Sequence, residues 1–211
     1  MDPENYNHLL LSTSYFGPFH WFSHFLSAET VTIDRHEHYR KQTWRNRCRI
    51  VGPNGVQDLV IPVRLNGNHT PVADVRIDYS ERWQQRHWGA LFSAYGQAPF
   101  FEHYAEKLRP FYEEKRWETL IDFNSETMEL SLRLLKTKKD WNYSEDFFPY
   151  TENDLRLLLS PKNRDSKMPE TNMKPYIQVF SDRHGFIPGL SILDLLFCCG
   201  PASPDYLGVV R

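Results

Sequence analysis

The sequence has few cysteines, no long apolar run and no start resembling a signal peptide. Its 3 cysteines include the adjacent pair Cys198 and Cys199, which fits neither a disulfide framework nor a metal-ligand spacing. The longest apolar run, residues 192–199, is broken by Asp194 and is too short to span a bilayer. The first residues lack the basic and apolar regions of a secretory signal. We therefore expect a cytoplasmic protein in a reducing compartment.

A charge excess of either sign is also missing. The chain has 25 basic and 27 acidic side chains, so nothing overall indicates a nucleic-acid partner or a membrane surface. Aromatic residues, in contrast, make up 15% of the chain. Because a buried tryptophan or tyrosine needs a hydrogen-bond partner, this content predicts a core rich in hydrogen bonds or a cleft lined with rings. The oligomeric state stays open.

Extended segments are predicted in the N-terminal part of the chain. Residues 8–14 and Thr30–Ile33 read as strands. Between them, Pro18 suits the first position of a short helix over residues 19–28. One more strand is predicted over residues 72–78.

The clearest local prediction is a β-hairpin formed by residues 45–51 and 56–63. The turn Gly52-Pro53-Asn54-Gly55 separates two alternating segments. If Val51 faces Val56, then Arg49 lies opposite Asp58, which is a plausible cross-strand ion pair.

Helices are predicted to follow. Asp78 to Glu81 has the spacing of a capping box, and the next helix places one stripe of side chains on a single face. The members of that stripe are Trp83, His87, Leu91 and Tyr95. Further helices are predicted over residues 100–107, 111–123 and 126–136, and a final helix over residues 191–200 with Ser191 as N-cap and Asp194 completing a capping box.

These elements predict an α+β fold. A small mixed β-sheet from the N-terminal half should be packed by the central helices and by the C-terminal helix. We expect one domain over residues 1–211. Its parts are 1–80, mainly β; 81–136, helical; 160–175, a mobile loop; and 176–211, a C-terminal strand, at 176–180, and helix.

Three stretches carry a resemblance to a known family. They are Tyr15-Phe16-Gly17-Pro18 followed by Phe22, the run Lys41-Gln42-Thr43-Trp44-Arg45-Asn46-Arg47 continuing into Ile50 and Gly52-Pro53-Asn54-Gly55, and the segment 186–197 with Gly200. Their order and spacing resemble the WbqC-like family of bacterial proteins over most of the chain. The resemblance implies a role in surface-polysaccharide or amino-sugar metabolism, with transfer of an amino-acid-like acyl group as one suggested activity. Longer members carry a Gly/Ser-containing segment that is shortened here to residues 160–175.

A basic run is the main candidate for ligand binding. Arginine and lysine bind phosphates and carboxylates, so the run could hold a small anion such as a nucleotide-sugar diphosphate. The alternative is a solvated hairpin face balanced by Asp58 and Asp34. The run consists of Arg35, Arg40, Lys41, Arg45, Arg47 and Arg49.

A cleft between the basic hairpin and the aromatic helix would add Trp44 and Tyr95 to this ligand site. The Tyr15 to Pro18 loop joins a strand end to a helix start and could present backbone N–H groups to an anion, or could simply be a rigid turn. Asn46 falls on the apolar hairpin face, where its amide either orients a ligand or fixes a neighbouring turn.

His87 is the candidate general base, with an ordinary core histidine as the alternative. Ser191 and Asp194 lie in the family motif, yet helix capping explains both without a ligand. His20 and His24 share a helix face but form no recognised metal motif, so no metal and no cofactor are expected.

Two functions remain open. The chain is either a transferase that uses His87 as base or a non-catalytic binding or accessory protein with the same cleft. An enzyme requires a proton-transfer group in the cleft beside Arg45 and Lys41. The position of His87 therefore discriminates between the two.

Overall fold

The computed structural model describes residues 7–150, 154–159, 161 and 173–208. Three short parallel strands form the sheet that positions the candidate site. They are β1 (His8–Leu11), β2 (Thr30–Ile33) and β7 (Trp141–Tyr143), in the order β1-β2-β7. Helix α1 (Phe19–Ser27) connects β1 to β2, because parallel strands need a crossover connection.

The predicted hairpin is present with the predicted register. Strands β3 (Arg47–Gly52) and β4 (Gly55–Val60) pair antiparallel, with Val51 opposite Val56 and Arg49 opposite Asp58. A second, two-residue pair joins β5 (Val63–Arg64) to β6 (Arg76–Ile77). The parallel and antiparallel ladders therefore lie in separate small sheets.

The helices after α1 fall into a long and a short group. The long helices are α2 (Trp83–Tyr95), α3 (Phe101–Glu113) and α4 (Leu120–Leu134). The short ones are α5 (Leu155–Leu158), α6 (Ser181–His184), α7 (Ile192–Cys199) and α8 (Ser203–Tyr206). Together with the strands they form the expected α+β arrangement.

The core is strongly aromatic at the junction of α2, α3 and α4. Phe111 stacks on Trp117 with ring centroids 4.9 Å apart, and Phe123 meets both rings edge-on. The predicted stripe of α2 is buried at Trp83, His87, Leu91 and Tyr95. Phe92, beside that stripe, is 61% exposed.

The three stretches that carry the family resemblance meet around the start of α7. Ser191 donates its hydroxyl hydrogen to the carbonyl oxygen of Phe16 (2.6 Å), and its backbone N–H donates to the carbonyl of Arg49 (2.8 Å). The N–H of Ile192 donates to the carbonyl of Gly17 (2.9 Å). The motifs thus hold one another through the backbone.

Several local predictions are wrong, and packing explains most of them. Pro110 lies inside the last turn of α3 rather than ending it, because Phe111 and Tyr112 beyond it are buried and offset the proline's cost. No capping box precedes α2: Asp78 accepts from the N–H of Ser80 (2.9 Å), and Arg82 is an N-cap without a side-chain hydrogen bond.

The remaining differences concern strands. Residues 72–78 contain a 3-10 turn, Val72–Asp74, followed only by the short β6. Residues 176–180 form no strand, since Tyr176 and Gln178 point their polar groups into the protein instead of pairing in a ladder. Most of the predicted loop at 160–175 lies outside the described residues.

Gly200 lies directly against the ring of Phe100, so its replacement should disturb the packing at this one contact. Its backbone has φ 52° and ψ −124°, and an added Cβ would lie 2.5 Å from the ring of Phe100. Gly185 has a similar backbone, φ 68° and ψ −166°, but nothing lies within 4 Å of its Cβ position. The two glycines share the conformational restriction and differ in the clash.

We expect Gly200→Ala to lower the free energy of unfolding by more than Gly185→Ala does. Both changes should cost about 1–3 kcal/mol for the backbone, and only the first adds overpacking against Phe100, about 1–3 kcal/mol more. Urea unfolding of both variants measures the difference. Equal losses of unfolding free energy in the two variants would show that the Phe100 ring moves aside without cost and would contradict the prediction.

Candidate functional site

The carboxyl ends of the three parallel strands bring polar residues to one edge. Ser12 follows β1, Asp34 follows β2 and Ser144 follows β7. The hydroxyl of Ser144 donates to Oδ1 of Asp34 (2.9 Å) and accepts from the N–H of Arg35 (3.1 Å). In open parallel sheets, ligands bind in the crevice outside this edge.

Arg45 fills the space beside Ser12 and is almost completely buried, with 1% of its surface exposed. Its Nε donates to Oε1 of Glu37 (2.8 Å), and its Nη2 donates to the hydroxyl of Ser12 (2.7 Å) and to Oε2 of Glu37. Tyr150 donates its hydroxyl hydrogen to the same carboxylate (3.3 Å). The positive charge of Arg45 is therefore balanced by the Glu37 carboxylate inside the protein.

Arg156, on α5, forms the second buried cation. It donates to the carboxylates of Asp34 and Asp154 and to the carbonyl oxygens of Phe148 (2.9 Å) and Pro149 (3.1 Å). Its hydrogen bonds join α5, the end of β2 and the segment before α5. The inner cluster thus holds two guanidinium groups and three carboxylates: Arg45 and Arg156 against Asp34, Glu37 and Asp154.

A small cavity of about 10 Å³ opens between these groups. It has room for about one water molecule or one functional group of a ligand. Its apolar wall comes from Trp21, Leu155 and Leu159. Its polar wall comes from Ser12, Thr13, Thr43, Trp44, Arg45 and Arg156.

Arg40 and Lys41 are exposed and come just before Thr43, which lines the cavity, and we call them the rim cations. The Arg40 guanidinium lies 4.4 Å from the centre of the Tyr150 ring, and Arg156 lies 4.4 Å from the same ring. The hydroxyl of Thr43 donates to the carbonyl of Arg40 (2.8 Å), which closes the loop. Among the described residues, neither rim cation has a carboxylate partner.

The hairpin arginines are paired internally. Arg47 donates to Asp58 (2.7 Å), and Arg49 binds the same carboxylate through Nε (2.7 Å) and Nη2 (3.1 Å). Burial raises the pKa of Asp58, but the hydrogen bonds and charges of Arg49 and Arg47 outweigh it and hold the pKa below its ordinary value. The hairpin arginines are therefore paired with Asp58 and are not free cations.

His87 lies in a buried chain of hydrogen bonds. Its Nδ1 is 3.1 Å from the hydroxyl of Tyr15, which is 3.0 Å from the hydroxyl of Tyr112. Burial lowers the pKa of His87 to about 4, although a hydrogen bond with the backbone of Val60 acts the other way. Neither His87 nor Tyr15 lines the cavity.

The other predicted site residues are distributed around the core. Trp44 lines the cavity with its ring under the guanidinium of Arg49, 4.9 Å from the ring centre. Asn46 donates to the carbonyl of Ile61 (2.8 Å), which fixes the link between β4 and β5. Pro18 is the N-cap of α1 and forms a β-bridge with Ser191. Trp44 and Arg45 are thus the predicted residues that the cavity brings together.

Asp194 is the residue whose predicted role is wrong. Its buried carboxylate accepts hydrogen bonds from the hydroxyls of Tyr176 (2.6 Å) and Tyr95 (2.8 Å) and from the amide of Gln178 (3.1 Å), so it closes no capping box. Ser191 does cap α7, because its hydroxyl oxygen accepts from the N–H of Leu193 (3.2 Å). Tyr95 therefore faces Asp194 and not a ligand cleft.

The two histidines considered for metal binding, His20 and His24, are both buried on α1. His20 packs against Trp44 with ring centroids 6.0 Å apart. Burial lowers the pKa of His20 to about 3, with His24 and Arg49 adding to the effect. Within the described part of the chain, no three His, Cys, Asp or Glu side chains converge as metal ligands.

Sequence reasoning missed Ser12, Glu37, Asp154 and Arg156. One signal was available: Ser12 and Asp34 are polar residues directly after apolar strand segments. Strand β7 and helix α5, which complete the edge, had no such signal.

Comparison with known proteins supports the family resemblance. A profile of the WbqC-like protein family matches residues 13–167. The chain belongs to the WbqC-like family. The uncharacterized protein Rv1507c of Mycobacterium tuberculosis is 28% identical over 199 residues, covering 82% of this chain and 85% of that protein. No solved structure gives a significant match. In the described residues, no helix has the length and apolar character needed to cross a bilayer.

The buried Asp194 generates a prediction about pH. Burial raises its pKa above the ordinary value, although the hydrogen bonds from Tyr176, Tyr95 and Gln178 act in the opposite direction. Because the folded-state pKa exceeds the unfolded one, this carboxyl stabilises the fold fully below the unfolded pKa, and the contribution is lost as pH rises through the folded pKa.

We expect Asp194→Asn, which cannot ionise, to remove this dependence. Its free energy of unfolding relative to the parent should increase as pH goes from about 4 to about 7. Urea unfolding at several pH values measures it. Ser191→Ala is the control, with a loss of about 0.5–2 kcal/mol that does not change with pH. A difference for Asp194→Asn that is flat or decreases with pH would contradict the raised pKa.

Proposed function

We propose that the chain binds a small ligand with an anionic group at the carboxyl edge of β1, β2 and β7, and that Arg40 and Lys41 hold the anion. The supporting observation is that the basic side chains around this edge differ in whether they have a carboxylate partner. The rim cations have no carboxylate partner among the described residues, whereas Arg45, Arg47, Arg49 and Arg156 are all paired. Unpaired arginine and lysine bind phosphate or carboxylate groups well.

The inner cluster suits a different part of such a ligand. With two guanidinium groups and three carboxylates, it does not attract an anion. Its cavity exposes hydroxyl-bearing residues, namely Ser12, Thr13 and Thr43, beside Trp44. One hydroxyl of a sugar fits this small cavity and can both donate and accept hydrogen bonds there. A sugar phosphate or nucleotide sugar fits this division of charge.

The biological role that we propose is ligand binding as an accessory protein of surface-polysaccharide or amino-sugar metabolism. The transferase alternative requires a proton-transfer group in the cavity. His87 is enclosed by Tyr15 and Trp83 and does not line that cavity. A binding function therefore requires fewer additional assumptions than catalysis by His87.

We expect pyrophosphate to raise the melting temperature of the parent and of Lys107→Gln, but not of the double variant Arg40→Gln/Lys41→Gln. Lys107 is an exposed lysine on α3 outside the cavity lining, so it controls for loss of charge alone. A ligand at 100 times its dissociation constant stabilises the fold by about 2.7 kcal/mol. Thermal-shift titration measures the effect. Equal stabilisation of all three proteins, or of none, would contradict the rim site.

A further inference from the structure

An exposed strip of rings leads away from the two rim cations. Phe147 is 47% exposed and stacks on His38, with ring centroids 5.7 Å apart and planes 26° from parallel. Two residues after His38, the guanidinium of Arg40 lies over the ring of Tyr150. We call His38, Phe147, Tyr150 and Arg40 the aromatic strip.

The backbone fixes the spacing within the strip. His38 forms a β-bridge with Pro71, and the N–H of Tyr39 donates to the carbonyl of Thr70 (2.9 Å), so this segment is extended. In an extended chain alternate side chains point to the same side and lie about 7 Å apart. Tyr39 is accordingly buried, and His38 and Arg40 are both exposed.

A ligand recognised here has a planar ring separated from its anion by roughly the width of one sugar. His38 covers one face of the Phe147 ring, and the exposed part of the ring offers a surface on which any nucleobase can stack. Arg40 and Lys41 offer two cations for adjacent phosphates. With only these two rim cations and a net charge of −2 for the chain, the strip does not suit a long polyanion.

We propose that the aromatic strip binds the nucleoside diphosphate part of the ligand, with the base on Phe147 and the phosphates on Arg40 and Lys41. This inference rests on the proposed function, because it uses the same rim cations. It adds that the base contributes to affinity, which simple anion binding does not require.

The test is calorimetric titration of the full chain with UDP and with inorganic pyrophosphate. The parent should bind UDP about tenfold more tightly than pyrophosphate, since one stacked base contributes at least that order. Phe147→Ala should reduce UDP affinity to the level of pyrophosphate and leave pyrophosphate affinity unchanged. Phe92→Ala, a change of a phenylalanine on α2 that is even more exposed (61%), should alter neither.

The outcomes separate this inference from the proposed function. If pyrophosphate binds but UDP gains nothing over it, or if Phe147→Ala leaves UDP affinity unchanged, stacking is wrong and the rim site stands. If neither ligand binds the parent, both proposals are wrong. Should Phe147→Ala unfold, Phe147→Leu keeps the apolar volume but removes the π-face, and the same loss of UDP affinity is expected.

Discussion

Burial of two guanidinium groups is the constraint on which the arrangement of this protein depends. Arg45 and Arg156 are 1% and 3% exposed. A buried charge without a partner is very costly, so each guanidinium must meet carboxylates and carbonyl oxygens in a fixed geometry. Those partners come from the residues that follow β1 and β2 and from the segment before α5, including its N-cap Asp154. The pairs thereby specify how distant parts of the chain come together.

The same constraint divides the charges by role. Arginines that support the fold are neutralised by Glu37, Asp34, Asp154 and Asp58 and have little positive charge to offer a ligand. Arg40 and Lys41 are exposed at the rim of the cavity and carry the charge that the proposed site needs. The basic run seen in the sequence therefore contains two kinds of residue: arginines with carboxylate partners, which support the fold, and exposed cations without such partners.

Local patterns allowed much of the fold to be predicted. The turn Gly52 to Gly55 and the alternation around it determined the hairpin register, and the apolar stripe determined α2. Long-range pairings could not be predicted in the same way. Strand β7 has only three residues and pairs with β2, which lies more than 100 positions earlier.

The candidate site was only partly predictable for the same reason. Trp44 and Arg45 were identified, but their charge partners depend on tertiary contacts. Asp194 showed the spacing of a cap, and one of its three actual donors, Tyr95, is 99 residues away. A local rule had no access to that hydrogen bond, and the buried carboxylate was therefore assigned to the wrong role.

A double-mutant cycle on Arg45 and Glu37 tests the central constraint most directly, with the free energy of unfolding as the measurement. Arg45→Met and Glu37→Leu should each cost about 3–5 kcal/mol, because each leaves a buried charge unpaired. The double variant Arg45→Met/Glu37→Leu should lose far less than the sum of the two. Losses that add to within about 0.5 kcal/mol would show that the pair is not coupled and would contradict this account.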